Sequence, residues 1–175
     1  MEKVKGCVFF LGDDIDTDQI LPGYAMSVPA SQLGQYALKG SSIPDFVEKV
    51  QSGDVIIAGR NFGCGSSREQ APEALKQAGV GAIVADSFAM IFRKNSINIG
   101  LPIITSECID ELKKDISEGD VVEVDIEEGK LLHVKSGKTY ELNKLSPQAL
   151  AIIKAGGLIN RVREILRERG ELDDH

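Results

Sequence analysis

The chain has 175 residues, 42% hydrophobic and 27% charged, with a net charge of −7. That length supports a genuine core in one domain, residues 1–175, and an acidic chain with no basic face gives no expectation of nucleic-acid binding. No stretch has the apolar length of a bilayer span or the profile of a secretory signal, and three scattered cysteines (Cys7, Cys64, Cys108) form neither a disulfide framework nor a CxxC metal pair, so the expected compartment is the cytoplasm.

Residues 4–11 are apolar and β-branched enough for a first strand, closed by Gly12. An acidic loop follows over 13–22. Residues 23–40 carry many small side chains and weak periodicity, which predicts a long, partly mobile loop of the kind that often has a function. A short helix is expected over 43–51, stopped by Ser52-Gly53. Residues 54–58 read as a buried strand, followed by a glycine turn and a helix from about Ser66 to Gln77. Residues 80–85, 88–95, 101–105 and 108–114 repeat the strand and helix alternation. Three such units in a row predict a parallel α/β sheet flanked by helices. Residues 121–126, 131–134 and 139–142 then form a small antiparallel meander with turns at Glu128-Gly129 and Ser136-Gly137. Ser146-Pro147 opens a C-terminal helical segment over about 146–170, with a capping hydroxyl and proline at the first helical position. Gly156-Gly157 interrupts it. Leu158, Val162, Ile165 and Leu166 share one face, which suits either core or an interface, so self-association of the isolated chain stays open. The polar tail 171–175 is expected to fray.

The turn Gly63-Cys64-Gly65-Ser66-Ser67-Arg68-Glu69-Gln70 carries the densest chemistry. It lacks the third glycine of a dinucleotide fingerprint and the lysine of a Walker A loop. A serine cap would account for Ser66 alone. An anion site at a helix N-terminus accounts for Ser66, Ser67 and Arg68 together. Cys64 is read as a small residue in a tight turn. A nucleophilic thiol usually has a histidine partner, and the two histidines, His133 and His175, lie in the meander and the tail. The acidic loop Asp13-Asp14-Ile15-Asp16-Thr17-Asp18-Gln19 fails the EF-hand pattern, with Gln19 at the glycine position and Ala25 at the glutamate position. It is either a solvated turn or a loop folded inward on Ile20-Leu21-Pro22.

Asp16-Thr17-Asp18-Gln19-Ile20-Leu21-Pro22 and Gly59-Arg60-Asn61-Phe62-Gly63-Cys64-Gly65-Ser66-Ser67-Arg68-Glu69-Gln70-Ala71-Pro72 resemble the small subunits of the 3-isopropylmalate dehydratases, in the aconitase superfamily. The likeness continues through Asp86-Ser87-Phe88-Ala89-Met90-Ile91-Phe92-Arg93 and Asn98-Ile99-Gly100-Leu101-Pro102. It implies a swivelling β/β/α domain that closes over a large subunit, with a [4Fe-4S] cluster on that partner and none on this chain. It implies Ser66 as the base that removes a proton alpha to a carboxylate. It implies Ser67 and Arg68 as a clamp for a small hydroxy-dicarboxylate, and Thr17 and Asp18 as the second active-site loop. Leucine synthesis is the usual setting.

If a serine hydroxyl has a pKa near bulk water's ~15.7, forming the alkoxide at pH 7 costs roughly 11 to 12 kcal/mol, at ~1.36 kcal/mol per pKa unit. A helix N-terminus returns at most about 2 kcal/mol. The isolated chain is therefore expected to be inactive. Within this superfamily, citrate-type enzymes place an arginine after the aspartate motif. Here Tyr24, Ala25, Met26 and Ser27 occupy that segment, which carries no cation and suits an uncharged substrate side chain. Many isopropylmalate enzymes have a Tyr-Leu-Arg type sequence there, so homoaconitate, citramalate and dimethylmalate hydro-lyases stay open as alternatives. A non-enzymatic anion- or metabolite-binding module stays open as well.

Overall fold

In a computed structural model, which describes residues 3–171, β1 (Val4–Phe10) is the strand on which two kinds of sheet meet. Its second half pairs in parallel with β2 (Val55–Ala58), Val8 against Val55 and Phe10 against Ile57. Its first half pairs antiparallel with β5 (Val121–Asp125), Val4 against Val124 and Cys7 against Val121. β3 (Ala82–Ala85) and β4 (Ile103–Thr105) extend the parallel side, while β6 (Lys130–His133) and β7 (Lys138–Glu141) extend the antiparallel side. The order is β4-β3-β2-β1-β5-β6-β7. The α/β expectation therefore holds, and the meander is part of one mixed sheet.

The parallel strands are apolar at every position because both faces are covered. Ile56, Ala58, Ile83, Ala85 and Ile103 face one core, shared with α3 (Gln70–Ala78), α4 (Met90–Asn98) and α6 (Pro147–Ala155). The alternate residues Val55, Ile57, Ala82, Val84 and Ile104 face a second core, shared with α5 (Ile109–Asp115) and the buried side of the meander. At about 1.5–3 kcal/mol per fully buried aliphatic side chain, these two layers hold the sheet rigidly beneath the loops that leave its ends.

The 23–40 segment is more ordered than its sequence predicts. Pro22 and Pro29 each precede a 3-10 turn, Gly23–Ser27 and Ala30–Tyr36, and Ala25, Leu33, Ala37 and Leu38 are buried. Gln77 of α3 fastens it, accepting from the Gly34 amide at 2.9 Å and donating to the Ala30 carbonyl at 2.6 Å. The short helix expected over 43–51 contracts to α2 (Phe46–Lys49). Ser146 caps α6 through the Ala149 amide as expected, and α6 ends at left-handed Gly156. α7 (Leu158–Glu168) follows; none of its residues is buried, so its apolar stripe is not core. Most of the 171–175 tail, including His175, lies outside the described residues.

Candidate active site

The site is assembled by two loops that prolong the pairing of β1 and β2 beyond the strand ends. The Leu11 amide donates to the Ile57 carbonyl at 2.9 Å, Gly59 to Gly12 at 3.1 Å, and Asp14 to Arg60 at 2.8 Å. Gly63 then donates to Ile15 at 2.7 Å and Thr17 to Cys64 at 2.9 Å. At the end of this ladder Thr17 Oγ1 and Ser66 Oγ lie 3.2 Å apart. The acidic loop is thus folded inward. Asp16 caps α1 (Thr17–Ile20), accepting from the Gln19 amide at 2.8 Å while Gln19 Oε1 accepts from the Asp16 amide at 2.9 Å. Thr17 is buried, as are Ile20 and Leu21.

The glycine turn departs from its predicted form in one respect. α3 starts at Gln70, so Ser66, Ser67 and Arg68 belong to the turn and not to the first helical residues. The turn is held by left-handed Gly63 and Gly65. A Cβ at Gly63 would stand 2.2 Å from the Phe92 ring, which is stacked with Phe88 and edge-on to Phe62. Arg68 folds back across the site. Its Nη1 lies 2.5 Å from Asp18 Oδ1 and donates to the Leu21 carbonyl at 2.9 Å, so Asp18 acts on the site by orienting the guanidinium. Thr17, Ser66, Ser67 and Arg68 line a cavity of about 200 Å³ whose opposite wall is Ala89, Met90, Ile91, Phe92 and Asn95 of α4 and the residue before it.

A family model of the Aconitase C-terminal domain matches residues 27–107. The chain is 45% identical to the methanogen homoaconitase small subunit of Methanothermobacter thermautotrophicus, over 90% of this chain and 89% of that one. It is 43% identical to the 3-isopropylmalate dehydratase small subunit of Aquifex aeolicus, over 95% and 98%. The crystal structure of 3-isopropylmalate dehydratase from Methanocaldococcus jannaschii superposes with a TM-score of 0.85 at 37% identity, covering 96% of this chain and 99% of that one. The chain belongs to the isopropylmalate dehydratase and homoaconitase small-subunit family.

Sequence reasoning singled out four of the residues that this family member gathers at one cavity, Thr17, Ser66, Ser67 and Arg68, and a fifth, Asp18, that holds one of them. It missed Asn95. The side chain of Asn95 makes no hydrogen bond among the described residues and lines the cavity one helical turn after Ile91. The i, i+4 spacing with the Phe-Ala-Met-Ile stretch was the available signal. The segment after Pro22 is divided: Tyr24 is 65% exposed, Ala25 is buried, Met26 packs against the core, and Ser27 is exposed, donating to the Tyr24 carbonyl. A Cβ on Gly23 would stand 3.9 Å from Arg68 Nη2, so the start of that segment borders the site.

Burial, with Asp14 and Asp16 nearby, pushes the Cys64 thiol above its ordinary pKa, which opposes a thiolate nucleophile. His133 is far from any such role. It is buried in the meander, its Nδ1 2.8 Å from Ser136 Oγ and its Nε2 3.0 Å from Asp120 Oδ2. Arg60 turns away to Asp13, at the edge of a second, polar cavity of about 360 Å³ with Asp86, Glu107, Asp110 and Lys113. Cys7 lies on β1, Cys64 in the turn and Cys108 before α5. Among the described residues no group of three or more His, Cys, Asp or Glu side chains could hold a metal ion.

Proposed function

We propose that this chain is the small subunit of a 3-isopropylmalate dehydratase, a hydro-lyase that interconverts 2- and 3-isopropylmalate by dehydration and rehydration. Its partner is a large subunit that carries the [4Fe-4S] cluster, and the complex is cytoplasmic. The observation that carries this reading is the meeting, in one cavity, of a serine pair and an oriented guanidinium with an apolar wall.

In this reading Ser66 Oγ removes the proton alpha to a substrate carboxylate, and Thr17 Oγ1, 3.2 Å away, donates to the developing alkoxide. Ser67 and Arg68 hold the carboxylate, and Asp18 fixes the angle of the guanidinium. Ala89, Met90, Ile91 and Phe92 suit the isopropyl group. Because α3 begins only at Gln70, the helix dipole gives Ser66 less help than a serine in the first turn would receive. The shortfall in alkoxide stabilisation is left to the partner and to exclusion of water. The rim fits that role: Met90 is 85% exposed and Ile91 54%. Large apolar side chains at the rim of the cavity suit a subunit that closes over it. The small-subunit domain then acts as a swivel.

Homoaconitase activity is the second reading, favoured by the relative named for it. Against it, Arg68 is the one cation lining the cavity among the described residues, and it is already engaged by Asp18 and Leu21. The deciding experiment is reconstitution with the cognate large subunit and comparison of isopropylmalate, citramalate and homoaconitate-type substrates. Turnover of isopropylmalate by the complex and none by the isolated chain is expected. A higher kcat/KM for the tricarboxylate would reverse the assignment. Met26→Arg is expected to raise the relative kcat/KM for tricarboxylates, and unchanged ratios would remove residues 24–27 as the selector.

A further inference from the structure

The two site loops are tied at a second place, ahead of the serine and threonine. Asp13 Oδ1 accepts from the Arg60 backbone N–H at 2.7 Å, and Asp13 Oδ2 lies 3.4 Å from Arg60 Nη2. The carboxylate occupies the space that a side chain at position 59 would fill: a Cβ on Gly59 would stand 1.8 Å from Asp13 Oδ1. Gly59 does not have a left-handed φ, so glycine is required there by the closeness of Asp13, chiefly its carboxylate and then its backbone nitrogen at 3.2 Å. The neighbouring residues, Asp14 and Asn61, are both left-handed at φ 53° and 58°, and Asn61 Nδ2 donates to Asp14 Oδ1 at 3.3 Å. Beyond this tie the ladder bonds before the site, among the described residues, are those of Asp14 to Arg60, Gly63 to Ile15 and Thr17 to Cys64.

We propose that Asp13 is a positioning residue for the reaction: seated against Gly59 and on the Arg60 amide, it sets the register of the two loops and so the spacing of Thr17 Oγ1 and Ser66 Oγ. This rests on the reading of Ser66 and Thr17 as reacting groups. The ion pair is not the working part. Its side chains are 71% and 47% exposed, and exposed pairs contribute little. The amide bond does not depend on which side chain stands at position 60.

The test uses the chain reconstituted with its large subunit for kinetics, and the free chain for amide NMR. Asp13→Ala and Gly59→Ala are each expected to lower kcat about tenfold with KM within about twofold, since a misplaced group loses rate more than binding. The double variant should fall no further than either single one, because both remove the same seat. Asp13→Asn, which keeps an acceptor oxygen, and Arg60→Ala, which keeps the amide, should stay within about twofold of wild type. The Gly63 and Thr17 amide signals should shift in both alanine variants. Multiplying effects, an Arg60→Ala loss equal to that of Asp13→Ala, or amide shifts confined to 12–14 and 59–61 would overturn the assignment. So would an unfolded Asp13→Ala chain, which would make the residue a determinant of folding. If the wild-type complex does not turn over isopropylmalate, the functional reading fails, while the NMR comparison still decides the positioning role.

Discussion

The two sides of the sheet use polar side chains for different purposes. On the parallel side, Asp13, Ser87 and Arg68 bond to backbone groups of neighbouring loops, and Asp16 and Gln19 to each other's amides within one loop, and these bonds fix where the loops run. On the antiparallel side, side chains bond to one another: Lys138 to Glu111 and Asp115, Tyr140 to Asp115, and His133 to Asp120 and Ser136. The first arrangement positions a site. The second pins a meander to α5 and to the turn before β5. Fully apolar strands covered on both faces support the first, and alternating strands with one wet face support the second. In this protein, chemistry and surface stability are therefore expected to separate along β1.

Ser66→Ala sharpens that separation most. In the reconstituted complex kcat is expected to fall about 10²- to 10⁴-fold with the thermal midpoint unchanged, as the Ser66 side chain makes one hydrogen bond among the described residues, with Thr17. Retained activity would remove Ser66 as base. Leu131→Ala is the converse probe. Leu131 is fully buried beneath the meander, and its truncation is expected to cost about 2–5 kcal/mol of stability, read by urea unfolding, with kcat unchanged at temperatures where the chain stays folded. A matching fall in kcat would break the division. Tyr140→Phe removes only the hydroxyl that donates to Asp115 at 2.8 Å; a smaller loss of thermal midpoint than for Leu131→Ala is expected, again without an effect on rate. The mildest effect is chemical. With its pKa raised, Cys64 should react with iodoacetamide at pH 7 more slowly than an unhindered thiol, and a faster reaction would contradict the environment assigned to the turn.

What the sequence made legible follows from range. Local patterns were read well: the buried runs of β2 and β3, the alternation of β5, and the Ser146-Pro147 start of α6 all state their structure within a few residues. The start of α3 was misplaced because Ser66 and Ser67 look like capping residues. The left-handed glycines spend them on the turn, and Pro72 then sits inside the first helical turn, where its missing amide costs nothing. The 3-10 turns of 23–36 carry no 3.6-residue period, so the sequence predicts a loop there. Thr17 and Asp18 stand out only by likeness to relatives. Their contacts with Ser66 and Arg68 span 49 and 50 positions of sequence and depend on how β1 and β2 are paired. Asp13 and Asn61 leave no signature that composition or periodicity could detect, and Asn95 only its i, i+4 spacing with Ile91.

Because the site loops prolong the β1 and β2 ladder, their lengths are matched to one another. An extra residue between Gly12 and Thr17, or between Gly59 and Ser66, would slide one rail past the other and face Ser66 with Asp16 or Asp18 in place of Thr17. A single insertion or deletion in either loop should therefore harm the protein more than most substitutions there. A compensating change of the same sign in the other loop is the kind that could restore it.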